Sequence, residues 1–398
     1  MTTNPAEGCL EPTPRRATAS NGVVREWTYN RTIRHDIRRF AALVKHVIIT
    51  LGNYWKHFIL RRDFLRPLYA IYELTYGCEL NCFYCDDGRG LSYPDQASKV
   101  RPLPLADALE MIQKLRRDVP GIYLSGGEPC SHPAFLRILY ELDALGYNPI
   151  MLNTNGLQIE QHLKCDPDFL RYVDVLIISL DSMNPAKLDD IFQSRSGLGQ
   201  RVLDTIATCV ELRRSFGFTL AVNCVITRDT IADAAEVAKF CKGTRIKFTP
   251  VVANRGMGVR DDLRGNPDYE KLVDELTRDD APSALGDPKL FRSLLHFEPF
   301  ICYPALRLHI TPAGEVRWPC QSNTYKSFSM CDYGSLRGLL ADAERQFAVQ
   351  GFGMGCQDQC FLAQNLGTNL YFTPTAWHGV RDLILRWDRN GGRGGFRG

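Results

Sequence analysis

The chain has no apolar run long enough to cross a bilayer. Its most hydrophobic stretch, Phe40 to Leu60, is interrupted by Lys45, His46, Lys56 and His57. Its opening, Met1-Thr2-Thr3-Asn4-Pro5-Ala6-Glu7-Gly8, is polar and lacks the apolar core of a secretory signal. Net charge is scarce as well. A balance of +3 over 398 residues argues against wholesale nucleic-acid binding. No internal repeat is visible. Cysteine, by contrast, is abundant at 14 residues. Without a signal core, these thiols fit a reducing compartment, where thiolates can hold metal clusters. The expected location is the cytoplasm, with the inner membrane face as a peripheral site.

The 44% hydrophobic content suffices for a substantial core, and the length allows a large barrel plus an appendage. From about 69 to 250, short β-rich runs alternate with helical patterns, which predicts repeated βα units and a parallel sheet. The expected strands are Tyr69–Leu74, Gly121–Leu124, Pro149–Leu152, Val175–Leu180, Thr219–Ile226 and Arg245–Thr249. Leu105–Arg117 and Phe135–Leu145 read as helices between them. The fold class expected is α/β: a partial (β/α)6 TIM-like barrel with a small C-terminal Cys-rich module and a basic amphipathic N-terminal helix. The division is 1–66 for a loose tail and helical extension, 67–250 for the barrel and 251–300 for a linker. Residues 301–362 form the module and 363–398 a tail.

Directly after the first strand comes Gly77-Cys78-Glu79-Leu80-Asn81-Cys82-Phe83-Tyr84-Cys85. Cys78, Cys82 and Cys85 supply three thiolates on one tight loop. A [4Fe-4S] cluster offers four irons, so three ligands leave one iron open to a small molecule. A structural zinc is the alternative, but it wants four ligands, usually in two pairs, and no second pair follows nearby. The C-x3-C-x2-C spacing resembles the cluster loop of the radical SAM superfamily. The resemblance implies a catalytic [4Fe-4S] cluster whose open iron chelates S-adenosylmethionine (SAM). Reductive cleavage of SAM then yields a 5′-deoxyadenosyl radical.

Further stretches carry the resemblance. Ser125-Gly126-Gly127-Glu128-Pro129 ends the second strand and matches the family's GGEP motif. Glycines permit close backbone approach, and a carboxylate attracts the SAM ammonium. Asn153-Thr154-Asn155-Gly156 is similar to the family's turn near SAM, though an Asn-Gly turn alone would look the same. Ser179 and Asp181 fall on one face of the fourth strand. The resemblance implies ribose and carboxylate contacts for them, while Asp181 could instead cap the next helix. Arg195 lies where related enzymes often carry an arginine for the SAM carboxylate. Cys130, Cys209 and Cys224 are expected to be structural.

A second cysteine group, Cys302, Cys320, Cys331, Cys356 and Cys360, resembles the SPASM and twitch extensions of that superfamily. The gap from Gly314 to Cys320 is one residue longer than usual, and there are too few cysteines for two clusters. The expectation is one auxiliary [4Fe-4S] cluster on Cys302, Cys320, Cys356 and Cys360, with Cys331 as a spare or substitute ligand. Zinc and unliganded thiols are the alternatives.

From Val23 to Arg66 there are ten Lys or Arg against three acids, a surplus of seven. Within it, Phe40, Leu43, Val44, Val47, Ile48, Leu51, Tyr54, Trp55, Phe58 and Ile59 follow helical spacing. Such a helix either packs its stripe on the barrel or lies on a membrane surface. The segment Trp377 to Trp387 has a similar flavour. The function expected is hydrogen abstraction from an unactivated C–H bond of a small or lipid-type metabolite, with a flavodoxin or ferredoxin as electron donor. The alternatives are a peptide maturase and a non-catalytic iron–sulfur protein.

Overall fold

A computed structural model describes residues 33–61, 65–278, 281–285, 288–346, 360–370 and 372. The expected loose tail at 1–22, Cys356, and the segment Trp377 to Trp387 lie outside the described residues.

Helix α1 (Ile33–Tyr54) continues into a wider turn at Trp55–Ile59. The barrel strands follow as β1 (Tyr69–Thr75), β2 (Gly121–Gly126), β3 (Ile150–Thr154), β4 (Val175–Ser179), β5 (Thr219–Ile226) and β6 (Lys247–Val252). Between β1 and β2 lie α2 (Tyr93–Ala97) and α3 (Leu105–Arg116), and α4 (Phe135–Leu145) precedes β3. Then come α5 (Ile159–Cys165), α6 (Pro185–Phe192), α7 (Leu198–Phe216) and α8 (Ile231–Thr244).

All neighbouring pairs from β1 to β6 are parallel. Strand alternation separates two cores. Leu124, Leu152, Leu176, Ile178 and Val222 face the helices in the main core. Val175, Ile177 and Ala221 form a distinct cluster on the opposite face, with Tyr123 and Met151 packed against it. This two-sided burial is why the strands read as near-continuous apolar runs. The sheet does not close: β6 ends one side, so the barrel is partial.

Residues 251–300 hold a two-stranded hairpin, β7 (Asn254–Arg255) and β8 (Gly258–Val259), then α9 (Pro267–Thr277) and α10 (Pro288–Leu295). The C-terminal part adds β9 (Arg307–Ile310), β10 (Glu315–Pro319) and β11 (Thr324–Ser329), then α11 (Leu336–Gln346) and α12 (Ala363–Leu370). Strand β9 pairs parallel with β1, and β10 and β11 follow antiparallel, giving one nine-stranded sheet.

Two expectations shift. The sixth strand starts at Lys247 instead of Arg245, because Arg245 closes α8 in a left-handed conformation (φ 57°). Helix α1 packs on the barrel, but not through its apolar stripe. Its buried residues include Arg39, Ala42, Leu43, Ile49, Thr50 and Asn53, while Val44, Ile48, Leu51, Trp55 and Ile59 stay exposed. Polar anchors fix the buried face beside Ala42, Leu43 and Ile49. Arg39 pairs with Asp174 and Asp143, Lys45 donates to the carbonyls of Arg116 and Arg117, and Asn53 bonds both the N–H and the carbonyl of Arg66. Among the described residues no helix is long and apolar enough to cross a membrane.

Candidate active site at the ends of the strands

The cysteine loop leaves the C-terminal end of β1, the end at which such barrels gather their chemistry. Three neighbours hold it. The C-terminal turn of α6 accepts from it, Asn81 N–H to Phe192 O (2.9 Å) and Phe83 N–H to Ile191 O (3.2 Å). The loop after α6 adds Ser194 Oγ to Glu79 O (3.1 Å). Arg260 donates to Phe83 O at 2.5 Å and lies over the Phe83 ring. Below Cys85, the N–H of Gly256 in the β7–β8 turn reaches Asp86 Oδ2 at 2.9 Å.

Cys78, Cys82 and Cys85 are all half-buried free thiols. Burial pushes the Cys78 thiol up to about 12 and raises Cys82 and Cys85 as well, with nearby carboxylates adding to the effect: Glu128 for Cys78, Asp181 for Cys82 and Asp86 for Cys85. Such thiols stay protonated until a metal displaces the proton. Among the described residues no three of His, Cys, Asp and Glu converge on a point suited to one metal ion.

The GGEP turn seats against the same loop through its backbone. Gly127 N–H donates to Thr75 O and Glu128 N–H to Gly77 O, both at 2.8 Å. The two glycines are a spatial requirement. A Cβ on Gly126 (φ +124°) would lie 2.3 Å from Thr75 O, and one on Gly127 would lie 2.5 Å from the carbonyl oxygens of Tyr76 and Gly77. The close approach is thus chain to chain, at the residues that lead into Cys78.

Glu128 is fully buried. Its Oε1 accepts from Cys130 N–H (2.9 Å) and Thr154 Oγ1 (2.7 Å), and its Oε2 from Asn155 N–H (2.7 Å). Burial raises its pKa to about 7 despite these bonds. The carboxylate therefore joins the turn after β2 to the turn after β3. Asn155 Nδ2 reaches Cys78 Sγ at 3.9 Å, so that second turn borders the cysteine loop.

Asp181, just past β4, is also buried. The Tyr84 hydroxyl donates to its Oδ2, and Val225 N–H donates to Oδ1 at 2.6 Å. Burial raises its pKa to about 6. Ser179 ends β4 half-buried and pairs in register with Asn223 of β5. Arg195 is exposed on the turn after α6, next to the Ser194 that touches the loop. Sequence reasoning did not find the Tyr84–Asp181 bond. The aromatic before the last cysteine was a visible signal, but its partner lies 97 positions away. Glu79 was also missed: its Oε1 accepts from Gln158 Nε2, while its buried Oε2 has no partner.

The C-terminal cysteines gather in part. Cys302 and Cys360 share a small buried cluster with Leu294 and Phe300, and Cys320 is an electrostatic neighbour of both. Asn323 N–H, Asn365 Nδ2 and Thr368 Oγ1 approach the sulfurs of Cys320, Cys360 and Cys302 at 3.2, 3.2 and 3.7 Å. Cys331 stands exposed on the turn Met330–Asp332.

Residues 72–241 match the model of the radical SAM superfamily. The chain is 27% identical over 211 residues to the mycofactocin maturase MftC of Mycolicibacterium smegmatis, covering 52% of this chain and 50% of that protein. It is 26% identical over 212 residues to the AdoMet-dependent heme synthase of Methanosarcina barkeri, covering 52% and 57%. The chain thus spans about half the length of these curated relatives. Two structures of SuiB from Streptococcus suis share the fold at 15% identity. The form bound to S-adenosylmethionine has a TM-score of 0.52, with 87% of this chain and 78% of SuiB covered. The form bound to the precursor peptide SuiA gives 0.53, with 87% and 79% covered. The family implies a [4Fe-4S] cluster and SAM as cofactors, and the cysteine loop at the strand ends lies within the matched residues. Residues 72–241 therefore carry a match to the radical SAM domain, and the maturase and synthase among the relatives support an enzyme.

Proposed function

We propose that this enzyme matures a peptide substrate by radical chemistry, with Cys78, Cys82 and Cys85 as the ligands of the catalytic cluster. The observation that carries the cluster assignment is the loop itself: three thiols held between the GGEP turn and the end of α6. Bound there, the cluster and SAM together supply a 5′-deoxyadenosyl radical able to take hydrogen from an unactivated C–H bond.

The residues around the loop have distinct tasks in this reading. Gly126 and Gly127 bring the turn close enough to present backbone carbonyls to the SAM ammonium. Glu128 orients that turn and Asn155 from below, and its carboxylate adds negative potential beneath the ammonium. Ser179 offers a hydroxyl to the ribose. Asp181 acts through Tyr84, fixing the loop between Cys82 and Cys85. Arg195, exposed on its turn, is the proposed partner of the SAM carboxylate. A second [4Fe-4S] cluster is assigned to Cys302, Cys320, Cys356 and Cys360, in a module of about residues 301–362 that follows a barrel at 67–250. A flavodoxin or ferredoxin is the proposed electron source.

The maturase among the curated relatives favours a peptide over a free metabolite, and a protein of the same fold was solved with a precursor peptide. A small or lipid-type metabolite is the second reading, favoured by the heme synthase relative.

Anaerobic reconstitution with iron, sulfide, dithionite and SAM tests the chemistry. The wild type should release 5′-deoxyadenosine, and Cys82→Ala should not. Persistence of that product in the variant would overturn the ligand assignment. Substrate class is decided by adding short peptides encoded beside the gene. A change in peptide mass that depends on SAM supports maturation; turnover only with a cell metabolite extract supports the second reading.

A further inference from the structure

Helix α1 turns a mixed face inward, with Ala42, Leu43 and Ile49 buried beside Arg39, Thr50 and Asn53. Its attachments include the Arg39 ion pairs, the Lys45 hydrogen bonds to the barrel, the Asn53 bonds to Arg66, and Ile49 packed in the main core. On the outward side stand Ile37, Val44, Ile48, Leu51, Trp55 and Ile59, each between 40% and 60% exposed. Their spacing of seven, four, three, four and four residues keeps them on one stripe. With 22 residues in the helix proper, the stripe runs for about 33 Å. Scattered apolar residues on a surface need no explanation, but a continuous stripe of this length does.

We propose that this stripe is a docking face for an anionic membrane surface. Charge selects the occupant. With Arg39 and Lys45 turned to the barrel, residues 33–61 still carry Arg34, Arg38, Lys56 and Arg61 against the single acid Asp36. Since Val23 to Arg66 holds a surplus of seven positive charges and the chain only +3, the remainder sums to −4. An anionic surface attracts the helix and repels the rest, which orients the barrel away from the bilayer. A second copy docking by the same face would set two basic helices against each other. The helix is too polar to cross the bilayer, so it lies in the interface with Trp55 at headgroup depth.

The test uses the full chain and vesicles of about 30% phosphatidylglycerol in phosphatidylcholine, at low salt. The wild type should sediment with them. The double variant Ile48→Glu and Trp55→Glu should partition at least about tenfold less. Its thermal midpoint and 5′-deoxyadenosine release should equal those of the wild type, because neither side chain touches the barrel interior or the cysteine loop. Failure of the wild type to bind, or equal binding by the variant, overturns the proposal. So does a wild-type dimer that the variant abolishes, which would make a second copy the occupant. None of these outcomes depends on the assigned chemistry, since vesicle binding is read without SAM.

Discussion

Replacing Gly127 by alanine tests whether the GGEP glycines serve chain packing. The added methyl would sit 2.5 Å from two backbone carbonyl oxygens, those of Tyr76 and Gly77, and 2.8 Å from the Tyr76 carbonyl carbon. Ordinary contact begins near 3.4 Å, so the turn or the cysteine loop must retreat by about 0.9 Å. Neither neighbour is a flexible side-chain tip that could swing away. Overpacking of this kind costs about 1–3 kcal/mol. The retreat also strains the Gly127–Thr75 and Glu128–Gly77 hydrogen bonds, at about 1 kcal/mol each. The expected loss is about 3–5 kcal/mol of unfolding free energy. Because the displaced carbonyls lead directly into Cys78, a shift near 1 Å should lower 5′-deoxyadenosine release by about a hundredfold. Urea unfolding of the cluster-free protein gives the first number, and single-turnover product the second. Gly243→Ala is the control: it lies near the end of α8 with nothing within 4 Å of the new methyl. It should be neutral or stabilising by up to about 1 kcal/mol. The reasoning fails if Gly127→Ala unfolds like the wild type and keeps full release, or if the control is equally damaged.

Tyr84→Phe should remove about 1–3 kcal/mol, because a buried Asp181 oxygen loses its donor; an unchanged urea midpoint would refute the role given to this pair. Arg39→Ala removes the cation paired with two largely buried carboxylates, Asp143 and Asp174, and should cost about 3–5 kcal/mol, read by denaturant titration. The cluster-free protein should also lose stability as pH rises from about 4.5 to about 7. Glu128 holds its proton up to about 7 in the folded chain but only to its ordinary value of 4.5 when unfolded. Below 4.5 both states are protonated, and above 7 both are ionised, so the loss is confined to that window and amounts to about 3 kcal/mol. Glu128→Gln should flatten that part of the pH profile; an identical slope in the variant would show that other groups carry it.

The barrel was legible because parallel strands buried on both faces leave apolar runs bounded by turn residues. Thr219–Ile226 and Phe135–Leu145 were located to the residue. The cysteine loop and Gly126-Gly127-Glu128 were legible because their spacing is local. What stayed hidden was long-range or depended on which of two faces wins. Hydrophobic periodicity in α1 identified a helix but assigned no burial; Arg39 and Lys45 found barrel partners, Asn53 found Arg66, and much of the apolar stripe stayed outside. The left-handed end of α8 at Arg245 displaced the sixth strand, and nothing local announces a non-glycine residue there. The Tyr84–Asp181 bond and the addition of β9 to the β1 edge join residues about a hundred or more positions apart.

The last of these links bears on how the two cysteine sites communicate. Glu73, on β1, is buried and accepts hydrogen bonds from Tyr76 (3.0 Å), Tyr93 (2.9 Å) and Gln321 (3.0 Å). Arg317, on β10, donates to the Tyr76 hydroxyl at 2.6 Å and faces the Glu73 carboxylate at 3.9 Å. Gln321 also donates to the carbonyl of Asp87. Gln321 follows Cys320, and Asp87 stands two residues after Cys85. One side chain therefore spans the gap between the catalytic loop and the C-terminal cysteines, fixed to a buried charge that cannot move without losing its partners. Gln321 and the shared sheet thus tie the C-terminal strands to the cysteine loop.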